Sequence, residues 1–493
     1  MSSADEVPFQ LEDPTLLKQQ SFVNGQWFEA ASGARFDVID PGTGSPFASC
    51  PANDAEDVNY VVQTSQDAFK RYCCTTPRRR AHMILRWHEL ITAAKRDIAT
   101  IFTYETGKPR AEALGELDYA LGFTWWFAGE AERIQGTVGH CSIANRRIIT
   151  IKQPIGVSAA LVPWNFPVTM ILRKASAALA AGCTMIIKPS PETPLSVLAL
   201  AELAVRAGVG KAALTVLTTD MKRIPGLSES LCKHPLVRKV TFTGSTRVGK
   251  VISHHCSDGL KRFTLELGGN CPFVVFDDAD LEKAADALIQ LKWRHAGQAC
   301  ITANRVYVQN GVYSAFETLL KAKDWSWISK RYDSWSFDNA RGVDKVESHV
   351  KDAIAQGGRL VLGGSRPAGL TGYFYSPTII AEASKKMMVA DEKTFGPLCA
   401  LFRFDTEGEA VAWANNTSMG LASYVFTRNV NRTWRLLEAG MIGLNTGNQS
   451  AAETPFGGIK ESGYGKESGK DVAINEYLIT KSATLTLDES PIT

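Results

Sequence analysis

Gly156-Val157-Ser158-Ala159-Ala160-Leu161-Val162, Met185-Ile186-Ile187 and Val240-Thr241-Phe242 are short apolar runs, and between or after them 172–181, 195–207 and 246–256 read as helices. A short apolar run bounded by turns fits a strand buried on both faces. Strands alternating with helices predict a parallel sheet flanked by helices. A second such series follows, with Pro272-Phe273-Val274-Val275-Phe276, Arg305-Val306-Tyr307-Val308 and Leu421-Ala422-Ser423-Tyr424-Val425-Phe426. The fold class is therefore α/β, with two such domains. A chain of 493 residues is also too long for one simple core, which agrees with that count.

Towards the N-terminus, 56–100 and 110–135 carry apolar positions at helical spacing with few breakers, and Arg147-Ile148-Ile149-Thr150-Ile151 alternates like a strand. Near the other end, Tyr477 to Leu487 (YLITKSATLTL) alternates over a long extended stretch. A bare edge of that length invites aggregation. It is expected to pair with another subunit or with 147–151.

Composition narrows the function classes. The 54 basic residues nearly balance the 51 acidic ones, for a net charge of +3, which argues against nucleic acid or an anionic membrane as the main partner. No apolar stretch approaches the ~18–20 residues of a membrane span. The first residues, MSSADEVPFQLEDP, are polar and acidic and fit neither a secretory nor a transit pattern, so a cytoplasmic location is expected. The ten cysteines (50, 73, 74, 141, 183, 232, 256, 271, 300, 399) form no CxxC pair, so neither a metal site nor a disulfide framework is expected.

One cysteine stands apart by its surroundings. Cys300 follows Gly297-Gln298-Ala299, a setting that lets a substrate carbonyl approach a thiol on a tight turn; a buried, inert thiol is the plain alternative. Glu266, in Thr264-Leu265-Glu266-Leu267-Gly268-Gly269-Asn270, sits among apolar residues, and burial raises a carboxyl towards the range of a general base. Taken alone it is equally a strand-end glutamate with satisfied hydrogen bonds. Asn165, between prolines in Pro163-Trp164-Asn165-Phe166-Pro167, is placed to donate an amide N–H to an oxyanion, or to brace a rigid turn.

Phe242-Thr243-Gly244-Ser245-Thr246 ends a strand and opens a helix, whose free N–H groups suit a pyrophosphate, although a simple N-cap accounts for it equally well. Lys188, in Lys188-Pro189-Ser190-Pro191-Glu192-Thr193-Pro194, follows another strand and either reaches ribose hydroxyls or stays solvated.

In this order, and together with Glu392-Lys393-Thr394-Phe395-Gly396-Pro397 and Pro455-Phe456-Gly457-Gly458, these segments resemble the aldehyde dehydrogenase superfamily over about residues 22–487. The resemblance implies a Rossmann-like cofactor domain (1–139 and 155–265), an α/β catalytic domain (266–470) and a small bridging β element (140–154 and 471–493) that joins subunits into a homodimer or homotetramer. It implies NAD or NADP as cofactor, contacted by Pro163, Trp164, Lys188, Ser190, Glu192, Gly244, Ser245, Gly249, Leu267, Glu392 and Phe395, with Glu392 on the nicotinamide ribose. Cys300 becomes the nucleophile, Asn165 and the Cys300 N–H the oxyanion hole, and Glu266 the base that activates water on a thioester.

Within the superfamily the chain is most similar to succinate-semialdehyde dehydrogenases. Arg173, in Met170-Ile171-Leu172-Arg173-Lys174, and Arg294, in Trp293-Arg294-His295-Ala296-Gly297, match the two arginines that clamp the substrate's distal carboxylate. Ser450 joins them. Two guanidiniums suit a carboxylate because each offers a planar fork of donors; structural ion pairs are the alternative. The expected reaction is oxidation of succinate semialdehyde to succinate, with another aliphatic or aromatic aldehyde as the alternative substrate. Esterase-like hydrolysis by the same cysteine and glutamate is at most a side activity.

Four departures bear on this reading. Thr302 stands two residues after Cys300, where some relatives have a second cysteine, so a disulfide switch at that spacing is absent. Pro191 stands where NAD-selective relatives carry glutamate, which leaves NADP open. Asn448-Gln449-Ser450-Ala451-Ala452-Glu453, where the substrate-anchor loop is expected, does not fix the length of the acid. Finally, 324–340 (DWSWISKRYDSWSFDNA) is dense in Trp and Ser and lacks Gly and Pro, the usual turn formers, between helices expected at 312–323 and from Val343. A local change of reading frame or splicing accounts for so sharply bounded a loss of resemblance; an inserted aromatic surface for a partner is the alternative. An impaired enzyme that still binds cofactor, or a structural protein, is the functional alternative that this segment raises.

Overall fold

Strand Val157–Leu161 is buried at every position, and its small residues suit a strand covered on both faces. In the computed structural model, which describes residues 7–331, 336–435 and 438–488 (324–331 by backbone only), this strand lies within a seven-stranded sheet. The order is Arg262–Glu266, Val237–Thr243, Val157–Leu161, Thr184–Lys188, Leu214–Val216, Ser21–Val23, Gln26–Phe28. The first five are parallel, and Ser21–Val23 runs antiparallel to both neighbours. From Val157–Leu161 the chain builds outward to Leu214–Val216, then crosses back to Val237–Thr243. A ligand crevice forms beyond the carboxyl ends of strands at such a reversal.

A second seven-stranded sheet has the order Arg359–Leu362, Thr378–Ala381, Leu398–Phe404, Ala303–Gln309, Cys271–Val275, Ala422–Phe426, Met441–Leu444. All its neighbours are parallel except the outer pair Arg359–Leu362 and Thr378–Ala381. Only four residues, 267–270, separate the end of Arg262–Glu266 in one sheet from Cys271–Val275 in the other. Glu266, the last residue of its strand, thus stands where the chain passes from one sheet to the other.

The long alternating stretch takes the second of its two expected partners. Leu478–Thr486 pairs antiparallel with Arg146–Pro154 from Leu478 opposite Pro154 to Thr486 opposite Arg146, and Thr137–His140 completes a three-stranded arm. The helical reading of 56–100 becomes three helices, Ala55–Tyr72, Pro77–Ala93 and Lys95–Thr106. The first break falls where Thr76 caps and Pro77 opens the next helix, the position at which proline costs least.

Helix Asn310–Arg331 runs eight residues past the expected end at 323, consistent with the lack of Gly and Pro to stop it. Trp335, and the side chains of Trp325 and Trp327, lie outside the described residues, so the aromatic-surface reading has no structural description. No helix of the described residues is long and apolar enough to cross a membrane.

Candidate active site

Cys300 owes its place to a turn that ordinary residues resist. Helix Leu281–Trp293 gives way to the 3-10 turn Arg294–Gly297, in which His295 and Ala296 have φ +50° and +51°. Gly297 follows at φ +73°, and a Cβ there would lie 2.3 Å from the carbonyl oxygen of Gly396, so only glycine fits. Left-handed backbone at the two other residues costs on the order of 1–3 kcal/mol each and must be held by neighbours.

Those neighbours are visible. The His295 N–H donates to Glu112 at 2.8 Å, and its ring packs edge-on against Trp164 and Phe166, each 5.7 Å away. Burial, with Lys108 and Arg294 nearby, pushes the imidazole well below its usual range, so it is neutral. The Gln298 side chain donates to the His295 carbonyl at 3.1 Å, and the Gln298 carbonyl accepts from Asn165 Nδ2 at 2.9 Å. Asn165 is itself anchored through its carbonyl by Lys108, at 2.6 Å. Lys108 forms a buried pair with Glu116, whose other oxygen takes the Thr169 N–H at 3.1 Å. The asparagine amide and the cysteine turn are thus one braced unit. Among the described residues the Cys300 N–H has no other partner.

Glu266 ends its strand fully buried. Oε2 accepts from Arg173 at 2.8 Å and from Thr243 Oγ1 at 3.1 Å, while Oε1 has no hydrogen-bond partner. Burial raises the carboxyl above the usual range, Arg173 opposes this, and Glu467 adds to it. Arg173 also pairs with Glu467 at 2.9 Å, and Lys174 pairs with Glu467 from the next position of helix Pro167–Ala181. The Cys300 thiol is pushed up by burial and then by the Glu266 charge, with Lys393 and Arg173 pulling the other way.

Cys300 opens onto a cavity of about 970 Å³, lined also by Arg173, Arg294, Ser450, Tyr119, Phe166 and Phe456. The two arginines differ sharply. Arg173 is 1% exposed, is held by two carboxylates and stacks 4.1 Å over Phe456. Arg294 is exposed, stacks on Phe166 at 5.4 Å, and has no ion pair among the described residues. Ser450 hydrogen-bonds the Tyr119 hydroxyl.

On the other side of the Cys300 loop, the crevice at the strand reversal holds Pro163 and Trp164 after one strand and Gly244 and Ser245 after the other. Ser245 caps helix Thr246–Ser257 by accepting the Val248 N–H, leaving N–H groups of the first turn free. A Cβ on Gly244 would meet the Phe242 ring at 2.4 Å, and one on Gly249 would meet Leu267 at 2.6 Å, so the backbone itself lines the crevice. Lys188 closes it. Its side chain is buried, its ammonium has no hydrogen-bond partner among the described residues, and burial pushes it down to about 8, against the pull of Glu192. Ser190 bonds the Glu192 carboxylate. An unspent cation, free helix N–H groups and bare glycine backbone fit a dinucleotide phosphate chain.

Glu392 is turned elsewhere. It is half exposed, 3.6 Å from Lys345 and 3.5 Å from His349. The next residue, Lys393, reaches the Cys300 carbonyl at 2.8 Å, and Phe395 packs edge-on against Trp164 at 5.8 Å.

Residues 27–483 match the model of the aldehyde dehydrogenase family. The chain belongs to that family. It is 43% identical to a succinate-semialdehyde dehydrogenase [NADP(+)] of Schizosaccharomyces pombe, over 98% of this chain and 99% of that protein. It is 44% identical to a glutarate-semialdehyde dehydrogenase of Pseudomonas aeruginosa, over 96% and 98%. The crystal structure of a succinate-semialdehyde dehydrogenase from Burkholderia pseudomallei superposes with a TM-score of 0.94 at 42% identity, covering 97% of this chain and all of that one.

For this aldehyde dehydrogenase, sequence reasoning missed Lys108, Glu116, Lys174, Glu467 and Lys393. A signal for some of them was present: Arg173-Lys174 are adjacent cations in an otherwise apolar helix, and buried cations require carboxylates. The end of the unusual 324–340 segment also proves structural. Phe337 is buried, its ring 3.1 Å from where a Cβ on Gly396 would stand. The Asp338 N–H donates to Gln298 at 3.3 Å, and Asn339 caps helix Ala340–Ala355.

Proposed function

We propose that this aldehyde dehydrogenase oxidises a short aldehyde bearing a distal carboxylate, with succinate semialdehyde as the first candidate, using NAD or NADP. The observation that carries the substrate class is Arg294, a guanidinium exposed in the Cys300 cavity with no ion pair among the described residues. A cation left unspent at a cavity mouth selects an anionic ligand. The named relatives each act on an aldehyde of this kind. Ser450 and Tyr119 offer hydroxyls for the carboxylate's remaining lone pairs.

The Cys300 thiolate adds to the aldehyde carbon, and the carbonyl oxygen becomes an alkoxide held by the Asn165 amide and the Cys300 N–H. Bound in the crevice, the nicotinamide supplies a hydride acceptor, so that the carbon leaves this stage as a Cys300 thioester. Glu266 then accepts a proton from water as the oxygen adds to that carbon, and collapse expels the thiolate and frees the acid. Burial raises the Glu266 carboxyl above its usual range, which strengthens it as a proton acceptor. Lys188, Ser190 and Glu192 would hold the adenosine end of the cofactor, and Gly244, Ser245, Gly249 and Leu267 its phosphates. Pro163, Trp164 and Phe395 would hold the nicotinamide end, and Glu392 would reach a ribose only by turning from Lys345.

The reading extends to a cytoplasmic homo-oligomer. Its support is the three-stranded arm, where Ile148, Ile151, Val138 and Leu485 stand exposed as candidates for burial against a second copy.

The test is NAD(P)H formation at 340 nm with succinate semialdehyde, glutarate semialdehyde and an uncharged aliphatic aldehyde of equal length. The acidic aldehydes should give the lower KM, and Arg294→Met should erase that preference. Equal KM values for charged and uncharged substrates would refute the substrate class, and inactivity towards all of them would refute the enzyme.

A further inference from the structure

Lys393 is a half-buried cation bonded to the peptide of Cys300, and nothing in the reaction as described uses it. Its ammonium donates to the Cys300 carbonyl at 2.8 Å and lies 4.8 Å over the Phe395 ring. That carbonyl also receives the Cys271 thiol, at 3.8 Å, so the peptide after the nucleophile is held from two sides. The preceding residue, Glu392, spends its carboxylate on Lys345 and His349 and does not neutralise the lysine. We propose that Lys393 is a positioning residue for Cys300: it fixes the cysteine's peptide through the carbonyl and supplies the cation beside which the thiolate forms.

The inference rests on Cys300 being the nucleophile, and charge supplies its logic. Cys300 faces Glu266, Lys393, Arg173 and Cys271, with Tyr119 and Tyr424 also within electrostatic reach. Glu266 opposes ionisation of the thiol; Lys393 and Arg173 favour it. Arg173 is neutralised by Glu266 and Glu467, which leaves Lys393 as the cation whose charge is available to the thiolate. Burial pushes the Lys393 ammonium below its usual range, Cys271, Cys300 and Glu266 pull it back up, and Lys345 adds to the downward push; Lys292 is a further neighbour, pushed down to about 8 by burial. A thiolate beside an ammonium is stabilised, and a site with Glu266 but no Lys393 would hold the thiol protonated to higher pH.

The experiment is the rate of Cys300 alkylation by iodoacetamide from pH 6 to 10 in the full-length protein without cofactor, read by mass spectrometry of the Cys300 peptide. Wild type, Lys393→Gln, Lys393→Met, Lys393→Arg and Lys292→Met are compared, with circular dichroism to confirm the fold. Glutamine keeps a donor for the carbonyl and loses the charge. Its profile should move up by about one pH unit, which is about tenfold slower alkylation on the rising limb. Arginine should restore the wild-type profile, and methionine should shift it at least as far as glutamine. If Lys393→Met does not fold, the glutamine and arginine pair decides alone. A Lys393→Gln profile superimposable on wild type would overturn the proposal. So would an equal shift in Lys292→Met, which would assign the effect to the general positive field. Alkylation does not depend on turnover, so these outcomes are distinct from failure of the enzymatic reading.

Discussion

Replacing Arg173 with methionine separates two roles that the arginine could fill. As a substrate clamp it would matter to KM and little to the fold. The geometry makes it a structural cation first: it is 1% exposed and bonded to Glu266 at 2.8 Å and Glu467 at 2.9 Å. Methionine fills much of the volume but leaves two buried carboxylates, of which only Glu467 keeps a cation, Lys174. Breaking a buried pair by removing one partner costs about 3–5 kcal/mol, and that is the expected loss at pH 7.

The pH dependence supplies the sign. Burial opposes ionisation of Glu467, but Lys174 and Arg173 outweigh it and hold the carboxyl below its usual range. Its contribution is therefore present above the unfolded value of about 4.3 and is lost as pH falls through the folded one. Glu266 is raised, so its ionisation costs stability as pH climbs from that unfolded value towards the folded one. Without Arg173 both carboxyls move up and protonation relieves the repulsion. The variant's deficit should then be largest near neutrality and shrink towards pH 5. Urea denaturation followed by circular dichroism from pH 5 to 8 reads this directly. A deficit below about 1 kcal/mol, or one that does not change with pH, would refute the structural assignment and return Arg173 to the substrate.

Glu266→Gln should keep a stoichiometric burst of NAD(P)H and slow steady turnover on the order of 10²–10⁴-fold, measured by rapid mixing at 340 nm; loss of the burst itself would place Glu266 earlier in the reaction. Asn165→Ala should lower kcat by about 10²–10³-fold, with cofactor affinity unchanged by fluorescence titration. Lys188 is a full ammonium only below about 8, so NADP affinity should weaken as pH rises through that value and fall further in Lys188→Ala, as calorimetric titration would register. Phe337→Ala, at a fully buried ring, should cost about 3–5 kcal/mol in the same urea assay and reduce kcat, because Gly396 and the cysteine turn lie behind the ring.

Much of the α/β fold was legible because its strands are buried on both faces. Val157–Leu161 and Thr184–Lys188 contain no exposed position, so each reads as a short, mostly apolar run without polar alternation. Cys300, Glu266 and Asn165 could be read only as a set, since each alone has a plain structural account. The direction of adjacent side chains was not legible. Glu392 and Lys393 differ by one position, yet one faces Lys345 and the other Cys300. A turn containing the left-handed Phe395, φ +55°, follows them, and nothing in the sequence marks it. Arg173 shows the same limit: a guanidinium in an apolar helix announces a carboxylate, but not whether that carboxylate belongs to the substrate or to Glu266.

The 324–340 segment tests how far local sequence governs the site. Its composition looked foreign, and its first part extends helix Asn310–Arg331, as a stretch without Gly or Pro permits. Its last part, Ser336 to Asp338, docks beside Gly107, Tyr373 and Gln298. Gln298 is the residue that joins the His295 carbonyl to the Asn165 amide, so the Asp338 N–H adds a further bond to the link between the Cys300 turn and Asn165. The Asp338 carboxyl is raised well above its usual range by burial and then by Glu192, with Asn339 opposing, and one of its oxygens has no hydrogen-bond partner. The segment therefore bonds the Gln298 side chain at the cysteine turn and lies within electrostatic reach of Glu192. A change in 336–338 should alter kcat and cofactor affinity together, whereas a segment that merely connected two helices would alter neither.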